Sequence, residues 1–233
     1  MTSPSLGAID EVAVLAEPVR RRLYAWVSDQ QDPVGRDAAA AAVGIGRPLA
    51  AFHLDRLVAA GLLDVTFRRL SGRTGPGAGR PAKLYKRSGR DLQVSIPARR
   101  YELAARLFAD ALAAGSAPGA DATEALALAA RRFGESLGQE ARGRAGSRPG
   151  RPALLAAALE VLAEAGFEPT TATDDVIALR NCPFDAIAKT HQSVVCGMNL
   201  SLMDGVIAGL RASGIAAELD PQPGMCCVVW RRS

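Results

Sequence analysis

The spacing of apolar residues changes period twice within the first ninety positions. After Pro18, whose missing N–H costs nothing in a first helical turn, Val19, Leu23, Trp26 and Val27 share one face, which predicts a helix. Residues 36–43, RDAAAAAV, read as a short Ala-rich helix, and Gly44 and Gly46 supply a tight turn. A second helix is expected from about Arg47 to Ala60. Its Ala50, Leu54, Leu57 and Val58 face inward, with Arg47, Ala51, Phe52, His53 and Arg56 directed largely to the opposite side and Gly61 ending the element. Val65 and Phe67, and then Leu84 between basic neighbours, alternate as short strands do. SGRTGPGAGRPA between them is too rich in glycine for a helix and predicts the loop of a hairpin.

Two amphipathic helices are expected over 97–138. One carries Tyr101, Ala104, Ala105, Leu107 and Phe108, the other Leu126, Ala130, Phe133 and Leu137. A small N-terminal domain cannot bury both stripes, so dimerisation or interdomain packing is the expected use, with an intrachain bundle as the alternative. Residues 141–152, ARGRAGSRPGRP, have the composition of a mobile basic linker. ALLAAALEVLAEAGF then restarts helical spacing and TTATDDVIALR suggests a hairpin turning at Asp174 and Asp175. Residues 182–214 read as mostly helical, and IAAEL and CCVVW read as strands. The expected class is α+β. The divisions are an N-terminal domain over 8–92, a helical connector and dimerisation region over 97–140, the linker, and a C-terminal α+β domain over 153–233.

Charge sharpens this division. Residues 1–95 hold 14 Lys and Arg against 9 Asp and Glu, whereas residues 152–233 hold 5 against 9. Within 68–90 there are eight cations and no acid, a pattern suited to a surface that meets phosphates. Helix, turn, helix and basic hairpin is the order of a winged helix-turn-helix, in which the second helix can enter a major groove about 12 Å wide and the hairpin can reach the neighbouring backbone. On that reading Arg47, Ala51, Phe52, His53 and Arg56 face DNA bases, while Arg68, Arg73, Arg80, Lys83 and Lys86 contact phosphates or a minor groove. The stretches AEPVRRRLYAWV, AAFHLDRLVAAGLLDV and GRPAKLYKR resemble the ArsR-type winged-helix superfamily, and AGRPAKLYKR resembles the wing of SufR-like regulators.

All four cysteines lie in the last 52 residues, as Cys182, Cys196 and the adjacent pair Cys226 and Cys227. The spacing contains no C-x-x-C pair of the zinc type, but thiolates gathered by a fold suit iron–sulfur clusters and zinc. On a strand Cys226 and Cys227 would point to opposite faces, so one of them is expected to join Cys182 and Cys196. His191 could add a nitrogen, and four buried thiols packed as small hydrophobes are the bland alternative. IALRNCPF, VVCGMNLSLMDGVIAGL and PQPGMCCVVW are similar to the C-terminal sensory domain of SufR-like regulators. That resemblance implies a 4Fe–4S cluster on Cys182, Cys196 and one of Cys226 or Cys227, and it does not give the fourth iron ligand.

The expectation is a homodimeric regulator of transcription, binding double-stranded DNA as a repressor and switched by the cluster, with zinc or thiol oxidation at the same cysteines as the alternative. A thiol enzyme using Cys182 or Cys196 with His191 is disfavoured because neither cysteine sits in a Gly-rich nucleophile turn. A nucleoid protein without a sensor would have no use for an acidic C-terminal domain. The start, MTSPSLGAIDEV, lacks the basic and apolar regions of a signal peptide, and no apolar run of about 18 residues escapes charge. A cytoplasmic location without membrane attachment is therefore expected.

Overall fold

The computed structural model describes residues 4–69, 80–115, 121–173 and 175–232. The chain is a mixed α+β protein of two compact units, residues 1–94 and 95–233.

In the first unit α1 (Pro4–Ala13) and a short 3-10 turn (Val14–Ala16) precede α2 (Pro18–Ser28). Glu17 caps α2, its carboxylate accepting from the backbone N–H groups of Val19 and Arg20, and Pro18 occupies the first turn. Strand β1 (Val34–Gly35) leads into α3 (Arg36–Val43), which ends where Gly44 takes φ 72°, a conformation that costs other residues strain. Helix α4 (Arg47–Ala59) follows, and Gly61 at φ 69° turns the chain into β2 (Leu63–Arg68). β2 pairs antiparallel with β3 (Ala82–Arg87), from Leu63 opposite Arg87 to Arg68 opposite Ala82. β1 pairs with the other edge of β3, giving the order β1-β3-β2. Leu23, Val27, Leu54, Leu57, Leu63 and Tyr85 form the core between the helices and this sheet. Removing each such side chain from water contributes about 1.5–3 kcal/mol.

The second unit contains α5 (Tyr101–Ala114), α6 (Ala122–Arg144), α7 (Arg151–Glu164), β4 (Pro169–Thr173), β5 (Val176–Leu179), α8 (Asp185–Ala188), α9 (Gln192–Leu210), β6 (Ile215–Leu219) and β7 (Val228–Arg232). Its antiparallel sheet has the order β4-β5-β7-β6, with Trp230 at the centre and fully buried. Helix α9 is long and apolar enough to cross a membrane by length and composition alone, yet ten of its 19 residues are buried inside the unit. It packs most closely on α6. Gly134 and Gly138 of α6 face Gly205 and Gly209 of α9, and a Cβ added at Gly134 would lie 2.9 Å from the Leu202 carbonyl carbon. Only glycine lets the two backbones approach this far.

Three expectations change here. The helices of 97–140 belong to the same compact unit as the sheet rather than standing apart as a connector, because the stripes of Ala104, Leu107, Leu126 and Ala130 join its core. Half of the segment 141–152 is helical. α6 runs to Arg144, with Ala141 buried, Arg142 donating to the Leu210 carbonyl and Arg144 bridging Glu140 and Glu164, and α7 begins at Arg151. The pair Cys226 and Cys227 precedes β7 instead of lying within it.

Candidate functional site

Two clusters, one in each unit, bring candidate functional side chains together. In the first unit, β1 delivers Arg36 to the start of α3, the Gly46 turn delivers Arg47 to the start of α4, the β2–β3 pair delivers Phe67 and Lys83, and Arg80 stands just before β3. These residues line one cleft of about 520 Å³. Arg47 bonds Asp37 at 2.7 Å, and Lys83 bonds Asp55 at 2.6 Å. Tyr85 donates its hydroxyl to the same Asp55 oxygen at 2.9 Å. Burial pushes the Asp55 carboxyl up. The bonds from Lys83 and Tyr85, with the charges of Lys83 and Arg36, outweigh that and hold it below the ordinary carboxylate range. Burial and the Asp55 carboxylate together push the Tyr85 hydroxyl up to about 12.

Arg47, Phe52 and Arg56 are exposed, Ala51 is half-buried, and the Arg56 guanidinium lies 5.7 Å from the centre of the Phe52 ring. His53 is a correction. It is 7% exposed and directed inward, with Nδ1 3.6 Å from the carboxylate of Glu17, because residues 50, 53, 54 and 57 form a single helical stripe on the core. Arg68, Arg80 and Lys86 are exposed, and Lys83 is half-buried and paired. Arg73 lies outside the described residues. Arg36 was not singled out by the sequence, because its place depends on β1 pairing with β3.

In the second unit the cysteines converge from three segments. Asn181 is buried and donates to the carbonyls of Ala98 and Gly166, while Arg99 donates to the Asn181 side chain and to the Cys182 carbonyl at 2.9 Å. This fixes the Cys182 loop after β5. Cys196 projects from the second turn of α9. Cys226 is anchored by its N–H to the Leu179 carbonyl at 2.8 Å, and the Cys227 carbonyl accepts from Asp220 at 2.8 Å. Cys196 and Cys227 are joined as a disulfide, their Cα atoms 6.2 Å apart, and Cys182 and Cys226 are unbridged.

Cys182, Cys196 and Cys227 line one cleft of about 240 Å³ with Asp185, Lys189 and Gln192 at its walls. Cys226 is not among its lining residues. Its thiol shares a hydrogen bond with Cys182 and accepts from Asn199 Nδ2 at 3.0 Å. The bond from Cys226, working against burial and aided by the Phe184 N–H, brings Cys182 down to about 7. The same bond, with burial, pushes Cys226 well above the ordinary thiol range. His191 is exposed at the start of α9 and does not line the cleft.

Three thiols opening on one cleft fit the donor set of an iron–sulfur cluster or zinc once the Cys196–Cys227 pair is reduced. Among the described residues, no group of three or more His, Cys, Asp or Glu is arranged to hold a metal ion. Compared with protein-family models, with curated proteins and with solved structures, the chain matches none.

Proposed function

We propose that this chain is a cytoplasmic, homodimeric, sequence-specific DNA-binding regulator of transcription, a SufR-like repressor of winged helix-turn-helix design. The observation that carries the DNA-binding half is the cleft that gathers Arg36, Arg47, Arg80 and Lys83 from separate segments beside the exposed face of α4. The α3, Gly44–Gly46 turn and α4 order, followed by the β2–β3 hairpin, supports placing α4 in a major groove and the hairpin on the adjoining backbone. Arg47 and Arg56 can pair with guanine edges, and Phe52 can touch a thymine methyl. The cleft cations hold the phosphates that set the register of α4.

The second unit is the proposed sensor. Cys182, Cys196 and Cys227 would hold a 4Fe–4S cluster, which when bound supplies a redox- and oxygen-sensitive link between the Cys182 loop, α9 and the segment before β7. The chain's own part is mechanical. With the thiols engaged, these three segments are tied together; without that tie they relax separately, and α9 transmits the change to α6 through the glycine-lined crossing. In a dimer on a palindrome, where recognition helices sit about 34 Å apart, a small change of separation alters both half-sites together.

A second reading of the sensor is favoured by one observation. The Cys196–Cys227 disulfide supports direct thiol oxidation at the same cleft, without a cluster. Anaerobic purification followed by an absorption spectrum, iron and sulfide assay, and binding to DNA selected from a random pool tests both halves. Iron and sulfide in the protein with redox-dependent DNA affinity are expected. A colourless protein whose affinity follows the thiol state supports the second reading, and binding that ignores DNA sequence refutes the regulator.

A further inference from the structure

Cys226 and Cys227 are neighbours in the chain but stand in different places. Cys227 lines the cleft with Cys182 and Cys196, whereas Cys226 is 1% exposed and lies behind Cys182. Three bonds define its position. Its N–H donates to the Leu179 carbonyl at 2.8 Å, tying it to the end of β5 just before the Cys182 loop. Its sulfur shares a hydrogen bond with the Cys182 sulfur, and it accepts from Asn199 Nδ2 at 3.0 Å.

Asn199 is itself fully buried, and its Oδ1 has no hydrogen-bond partner among the described residues. A buried amide with only one satisfied end is costly, so its bond to Cys226 is the contact that fixes the side chain. Asn199 follows Cys196 by three positions in α9, and residues so spaced are neighbours on a helix surface. One turn of α9 therefore offers a thiol to the cleft and an amide to the sulfur behind it.

We infer that Cys226 is a positioning thiol rather than a cleft thiol: held by Asn199, it seats the Cys182 sulfur at the cleft, while Cys227 is the member of the adjacent pair that acts there. The inference deepens the proposed sensor and rests on that cleft being the sensory site. Its consequence for thiol chemistry needs no cluster. When peroxide oxidises the reduced protein, two thiols give up their protons and two electrons to form one disulfide, and the peroxide leaves as two waters. With Cys182 seated, that disulfide forms between Cys196 and Cys227. With the seat removed, Cys182 is released to compete for either partner.

The test has two arms. In the first, metal-free reduced protein is pulsed with N-ethylmaleimide, or treated with hydrogen peroxide, and mapped by mass spectrometry. Cys226 should be labelled at least tenfold more slowly than Cys227. Peroxide should give the Cys196–Cys227 pair in wild type and in Cys226→Ser, whose hydroxyl keeps the hydrogen bonds. Cys226→Ala and Asn199→Ala should both add disulfides containing Cys182. Equal labelling of Cys226 and Cys227, or an unchanged pairing pattern in both Cys226→Ala and Asn199→Ala, overturns the inference. In the second arm, anaerobic iron content should be retained by Cys226→Ser and lost by Cys227→Ser, and the reverse result overturns the inference. Wild-type protein without iron would remove the cluster reading alone, because the first arm is measured without metal.

Discussion

Replacing Gly138 by alanine adds one methyl group at the α6–α9 crossing, and the structure sets its cost. The new Cβ would meet the Val206 carbonyl oxygen, with Leu210 N at 2.8 Å and Gly209 Cα at 2.9 Å. All three are backbone atoms of α9, so no side chain can swing aside and the helices must part. Overpacking of this kind costs typically about 1–3 kcal/mol, and the upper end applies where backbone is met. Alanine recovers about 1 kcal/mol through its higher helix propensity, which leaves a net loss of about 2 kcal/mol. For a unit of this size that lowers the thermal midpoint by about 6 °C. Gly143 on the same helix is the control, since a Cβ there meets nothing within 4 Å, and Gly143→Ala should stabilise by up to about 1 kcal/mol. The chain has two tryptophans, Trp26 and Trp230, so a Trp26→Phe background leaves Trp230 fluorescence as the reporter of the second unit. Urea and thermal unfolding of the three proteins then decide the matter. If Gly138→Ala unfolds at or above the wild-type midpoint, close backbone approach is not what selects glycine at this crossing.

Arg36→Ala should weaken binding to all DNA sequences and shallow the log–log salt dependence by about one unit, measured by anisotropy titrations at several salt concentrations, and an unchanged slope removes Arg36 from the interface. Arg56→Ala should shift base preference by about 1–3 kcal/mol at one position of a selected site. His53→Ala should leave that preference intact and lower the thermal stability of the first unit, because His53 packs inside it; altered preference would return His53 to the DNA face. Asp55 has its carboxyl held below its ordinary 3.8, so its stabilisation is present above that value and is lost as pH falls through the folded-state value. Asp55→Asn should therefore flatten the acid side of the stability profile of the first unit. The effect should stay under about 1 kcal/mol because the Asp55 side chain is 54% exposed, and an acid limb as steep as wild type would contradict the assignment.

The elements that were legible in the sequence are those whose signal is local. Pro18 and Gly61 bracket helices whose apolar spacing suffices to place them, and Val65, Phe67 and Leu84 mark the paired strands. His53 reads as outward when the inward face is taken as positions 50, 54, 57 and 58, whereas the buried stripe is 50, 53, 54 and 57, the i, i+3, i+4, i+7 set. The C-terminal end of α6 was hidden by composition. Glycine and arginine read as linker until the partners are known, whereas here Arg142 reaches the Leu210 carbonyl and Arg144 reaches Glu140 and Glu164. The basic cleft was only half legible. Arg47, Arg80 and Lys83 are recognisable as cations, but the two-residue β1 that brings Arg36 to them leaves no periodic trace. The cysteine partition depends on which residues line the cleft and which lie behind it, and spacing carries no record of that.

Asp37 and Asp55 stand beside the cleft as tethered counterions, one on Arg47 and the other on Lys83. On the proposed reading, each cation that neutralises a phosphate releases counterions condensed on the DNA, and that release supplies much of the salt-dependent affinity. A carboxylate fixed to the chain cannot be released in that way. A phosphate entering the cleft would have to displace it at each of these two cations, and the bond given up there would offset part of that gain. Random encounters along a duplex, which offer phosphates without the matching groove, would be held weakly by a surface guarded in this way. A site whose geometry let Arg47 leave Asp37 for a base edge would recover the lost contact, and on the proposed reading sequence selectivity would then begin in the chain's own acids.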